Sequence, residues 1–90
     1  MIPIKKGDRL KSVKKCGQGD AGLVFEVVTF QTEYIYCHAL TEGVTGVYHG
    51  RYTNDDLKRL RREYPGGNFG IKISEIVEGV YTNLDNLWDE

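Results

Sequence analysis

The chain has 90 residues, 40% apolar and 28% charged, which fits one globular domain over residues 1–90 and excludes both wholesale disorder and a two-lobed enzyme with a buried cleft. Two cysteines are too few for a disulfide scaffold, no apolar run approaches the roughly 18 residues that span a bilayer, and the N-terminus lacks a signal-peptide core, so a cytoplasmic, reducing location is expected. The net charge of -1 hides strong segregation, +5 over residues 1–15, -4 over 16–50, +3 over 51–72 and -5 over 73–90, which suits docking onto a charged partner or mutual neutralisation within one fold.

Gly7-Asp8 reads as a turn into a first strand over residues 9–14, with Leu10 and Val13 as its apolar positions, and a glycine-rich connection follows. Residues 23–30 are the clearest strand: β-branched and aromatic, apolar on both faces except at Glu26, and therefore central. Gln31-Thr32-Glu33 turns the chain, residues 34–40 return it, and Thr41-Glu42-Gly43 turns it again before a strand over 44–48. The period then becomes helical. Thr53 or Asn54 caps a helix near residues 54–64, two aspartates occupy its first turn, and Leu57, Leu60 and Tyr64 share one face. Pro65-Gly66-Gly67-Asn68 ends that helix, because proline cannot continue it and the glycines favour a turn. Phe69, Ile71 and Ile73 alternate with Gly70, Lys72 and Ser74 as in a strand, and Thr82-Asn83 opens a C-terminal helical turn packed by Leu84, Leu87 and Trp88. Short strands at this spacing, with one short helix, predict a mainly β (α+β) fold: a small barrel or a curled antiparallel sheet.

Gly7-Asp8-Arg9-Leu10, then Gly22-Leu23-Val24-Phe25-Glu26-Val27-Val28, residues 34–40, and Gly46-Val47-Tyr48 through Asp56-Leu57 together resemble SH3-like small barrels of the KOW and Tudor kind. The resemblance covers about residues 7–60. It implies a module of a kind that generally binds proteins or nucleic acids and is rarely an enzyme.

Gly17, Gly19, Gly22 and Val24 match G-x-G-x-x-G-x-V, a pattern similar to the glycine-rich loop of protein kinases. A kinase needs a lysine on the next strand, where residues 36–40 supply only His38, and a Rossmann site needs a helix where a β-branched strand follows. The glycines are therefore read as a hairpin that allows positive φ, with no nucleotide cofactor. Cys16, Cys37, His38 and His49 have ligand side chains without ligand spacing. Cys37 and His38, as strand neighbours, point to opposite faces, so neither a metal site nor a Cys-His nucleophile is expected. A buried Cys37 and surface histidines are expected instead.

Lys58, Arg59, Arg61 and Arg62 lie on the side of the helix away from Leu57 and Leu60, and with Lys5, Lys6, Arg9 and Lys11 they can follow a phosphate backbone or simply be solvated. Tyr34, Tyr36, Tyr48 and Tyr52 form an aromatic platform if they share a face, and barrel packing otherwise. The acidic tail around Trp88 reads as a protein-docking element or a closing turn. The expected function is a non-enzymatic binding or regulatory protein with a protein partner, of the kind a bacteriophage or mobile element uses to modulate a host machine. The alternative is a nucleic-acid-binding barrel. Candidate contact residues are Arg9, Lys11, Lys58, Arg61, Arg62, Tyr48 and Tyr52, with no catalytic, cofactor or metal residues and no membrane partner.

Overall fold

Alternation of apolar and polar side chains builds the sheet seen in the computed structural model, which describes residues 4–46 and 50–85. The elements in chain order are β1 (Arg9–Ser12), β2 (Val24–Phe30), β3 (Tyr34–Ala39), β4 (Thr45–Gly46), β5 (Gly50–Arg51), α1 (Asn54–Glu63), β6 (Phe69–Lys72), α2 (Ile73–Val77) and β7 (Tyr81–Asn83). Five strands pair antiparallel in the order β6-β3-β2-β1-β7, while β4 and β5 form a separate hairpin. The fold is thus mainly β with two short helices, and β2 is central as its composition requires. Of the two arrangements expected, the open antiparallel sheet is the one observed, with β6 and β7 at its edges.

Register puts the large apolar residues on one face. Leu10 lies opposite Phe25, which lies opposite Ala39; Val27 faces Cys37, which faces Phe69; Ile35 faces Ile71. Leu57 and Leu60 of α1, Ile76 of α2 and Val44 close over this inner face. Phe25 is wholly buried at its centre and meets Phe69 and Tyr81 edge-on, with centroids 6.2 and 6.1 Å apart. Burial of such a side chain contributes about 1.5–3 kcal/mol.

α1 forms where the sequence predicts it. The Thr53 side chain accepts from the Asp56 amide while the Asp56 carboxylate accepts from the Thr53 amide, so two orphan donors of the first turn are satisfied reciprocally. Leu57 and Leu60 are buried, but Tyr64, expected on the same face, is 50% exposed because the backbone leaves the helix there.

Four other expectations are corrected. β1 stops at Ser12, which is buried in place of Val13: its hydroxyl donates to the Asp20 carbonyl and accepts from the Leu23 amide. Ile73 does not extend β6 but begins α2, whose Glu75 and Ile76 carbonyls accept from the Val80 and Gly79 amides and so turn the chain back. Thr82 and Asn83 belong to β7 and not to a helical turn, because the open edge of β1 needs a partner: Val13 donates to Val80 and Leu84 to Arg9. His38 is buried, not at the surface. Tyr48, His49, Leu87 and Trp88 lie outside the described residues.

Candidate binding surface

The same register that fills the inner face assigns the outer one. Arg9 lies opposite Glu26, which lies opposite His38; Thr29 faces Tyr36, which faces Gly70; Tyr34 faces Lys72; and Lys11 lies between Val24 and Thr82. A bulge between Val27 and Thr29 restores Thr29 to this face. Both helices pack their buried residues against the inner side, so the outer side chains other than His38 stay at least partly exposed.

Tyr34 and Tyr36, two residues apart on β3, project from this face and stack with centroids 6.3 Å apart and planes 25° from parallel. Gly70 beneath them leaves the rings room. A Cβ there would lie 3.3 Å from Tyr34 Cδ1 and 3.4 Å from Tyr36 Cε1, so the rings would have to give by a few tenths of an ångström. Beyond Tyr34 the surface continues into a shallow groove of about 440 Å³ lined by Thr32, Glu33, Tyr34, Lys72, Ile73 and Ser74.

The predicted contact residues divide. Arg9 is held by Asp85, whose carboxylate accepts from the Arg9 amide at 2.8 Å and from Nε and Nη2 at 3.1 and 2.9 Å. The hydrogen bonds from Arg9 hold the Asp85 carboxyl below its usual range, and Asp85 in turn raises Arg9. Arg61 donates from Nη1 to the Ala39 carbonyl at 2.9 Å. Arg59 lies between Asp56 and Glu63 at 3.6 and 3.8 Å. Lys11, Lys58 and Arg62 are exposed and make no ion pair among the described residues.

Helical residues advance by about 100°, so Lys58 and Arg62 continue round α1 from Arg61 on one flank, while Asp56, Arg59 and Glu63 occupy the other. That basic flank borders β3 at its His38–Ala39 end, where the His38 ring also donates from Nε2 to the Tyr64 carbonyl at 2.6 Å. Tyr52 is elsewhere, packed edge-on against Phe69 at 5.4 Å, and so shares no surface with Tyr34 and Tyr36. The outer-face side chains that the predicted contact set lacks are thus Tyr34, Tyr36 and Lys72. Their signal was present in the i, i+2 spacing of the two tyrosines on a strand.

The glycine loop joins β1 to β2, but the amides of its three motif glycines are spent on the chain itself. Cys16 and Gly19 exchange backbone hydrogen bonds, Gly22 donates to Ser12, and the Gly17 amide donates to the Glu75 carboxylate at 3.2 Å. The Gln18 carbonyl accepts from Thr45, and its side chain donates to the Gly70 carbonyl at 3.0 Å. A phosphate approaching this loop would meet Glu75 in place of a free amide at Gly17.

Burial pushes the Cys37 thiol up to about 12, while Cys16 is half-buried. Among the described residues no three His, Cys, Asp or Glu side chains are grouped as for a metal, and no helix is long and apolar enough to cross a membrane. Comparison with family models, with curated proteins and with solved structures returned no match to this chain. The expected likeness to KOW and Tudor barrels therefore has no counterpart among the solved structures compared.

Proposed function

We propose that this chain is a non-enzymatic binding module that docks on a macromolecular partner through the outer face of its sheet. One observation carries this reading: the sheet buries one face under two helices, while on the other the turn at Tyr64–Gly67 covers only His38 and meets Thr29, leaving two stacked tyrosines and flanking lysines at least partly exposed. Exposed aromatic surface costs solvation and is retained where a partner covers it. The surface is broad and shallow, a shape suited to a macromolecule. A domain of this size without catalytic signatures suits an accessory protein, of the kind a phage or mobile element uses to modulate a host machine.

The test compares immobilised wild type with a Tyr34→Ser/Tyr36→Ser variant in capture from lysate, with and without nuclease. A second variant, Lys11→Glu/Lys72→Glu, covers the case in which loss of the tyrosines lowers stability. Capture lost by both variants while the melting temperature of the lysine variant is unchanged is expected. Equal capture by wild type and both variants overturns the assignment of the outer face.

A further inference from the structure

Resting on the docking surface just proposed, we infer that the occupant of the outer face is single-stranded nucleic acid, its bases stacking on Tyr34 and Tyr36 and its phosphates meeting the surrounding lysines and arginines. The charge distribution around the tyrosines favours a polyanion. Lys72 borders them on one side and Lys11 lies on the far strand of the same face, and the flank of α1 bearing Lys58, Arg61 and Arg62 borders the end of β3. Asp85 is already neutralised by Arg9, and Glu26 and Glu33 offset Lys11 and Lys72 on the face itself, so the positive excess is supplied by Lys58, Arg61 and Arg62 of α1.

Stacked rings discriminate between polyanions. A duplex hides its base planes and offers only phosphates and groove edges, whereas a single strand presents the planes that aromatic side chains stack against. An acidic peptide would satisfy the lysines and leave both rings bare. The shallow groove beyond Tyr34 carries Glu33 and Ser74, side chains of the kind that read a base edge. From Tyr34 to Tyr36 the strand runs about 7 Å before the Tyr64 turn covers His38, room for two neighbouring bases on the two rings.

The probe is a fluorescein-labelled oligouridine of about 12 nucleotides, a length within the site sizes known for single-strand binders, read by anisotropy. With about four phosphate contacts, affinity should fall roughly 50-fold between about 50 and 200 mM salt. Tyr36→Ala should weaken binding roughly 5- to 100-fold, as loss of one stacking partner does, while Tyr36→Phe should retain it. Lys11→Gln/Lys72→Gln should flatten the salt dependence and leave the melting temperature unchanged.

No binding by the wild type at low salt overturns the inference, as does a labelled duplex or polyglutamate binding as tightly as the single strand. So does full affinity in Tyr36→Ala. Failure here is distinguishable from failure of the docking surface: if oligouridine does not bind but the outer-face variants still lose a nuclease-resistant partner, the surface stands and this occupant falls.

Discussion

Two glycines with the same backbone conformation and different surroundings separate the cost of a turn from the cost of a clash. Gly67 has φ +91° and Gly79 has φ +85°, so alanine at either meets the left-handed penalty of about 1–2 kcal/mol. Around Gly79 nothing lies within 4 Å of where a Cβ would stand. At Gly67 the Cβ would come 2.9 Å from the Cys37 nitrogen and the Tyr36 carbonyl carbon, and 3.1 Å from the Tyr36 oxygen. Those atoms are the peptide of β3, paired on both sides, and cannot withdraw like the end of a side chain.

Overpacking of this kind adds about 1–3 kcal/mol. Gly79→Ala should therefore cost about 1–2 kcal/mol and Gly67→Ala about 2–5 kcal/mol. The latter is a large share of the roughly 5–15 kcal/mol that holds a small domain. At about 4–8 °C per kcal/mol, Gly67→Ala should melt at least 8 °C below wild type and clearly below Gly79→Ala. Thermal and urea unfolding by circular dichroism measure both. Equal losses in the two variants would refute the placement of the Gly67 turn against β3.

Three further outcomes are expected. Because Arg9 depresses Asp85, the clamp stabilises the fold above the ordinary carboxylate pKa and is lost as pH falls through the lower folded value; Asp85→Asn should thus show a shallower acid loss of stability than wild type, and identical acid profiles would count against the clamp. With Cys37 buried and raised to about 12, iodoacetamide near neutral pH should modify Cys16 first and Cys37 only on unfolding, a pattern that mass spectrometry of native and denatured protein would contradict if both reacted alike. The Tyr81 hydroxyl is buried without a well-formed hydrogen bond, burial and the adjacent Cys16 thiol pushing the phenol upward, so Tyr81→Phe should leave stability unchanged or raise it by about 1 kcal/mol; a loss larger than that in urea unfolding would show a partner for the hydroxyl.

Much of the sheet is legible from local pattern. β2, β3 and α1 carry their periods plainly, and the Thr53 cap and the Pro65 stop are spelled out in adjacent residues. Ser12 was not legible as core, since its burial depends on two partners across a turn, Asp20 and Leu23. α2 was hidden because Ile71 and Ile73 continue a strand period across the junction, and no side chain caps the helix. Basic residues could be seen, but their commitments could not: the contact of Arg9 with Asp85 spans 76 positions. Likewise, the spacing of Tyr34 and Tyr36 announces a shared face, but which face stays open is decided by where α1 and α2 pack.

The glycine loop that suggests a ligand has a different consequence where it meets β6. A sheet whose outermost strand shows bare amides and carbonyls is a template for another chain, and uncontrolled growth along that direction ends in aggregates. β6 is only four residues long and is cut off by α2, it carries Lys72, and the carbonyl of Gly70 is already taken by the Gln18 side chain. The loop so placed guards the margin of the sheet, and resistance to edge-to-edge growth is written into Gln18 as much as into Lys72.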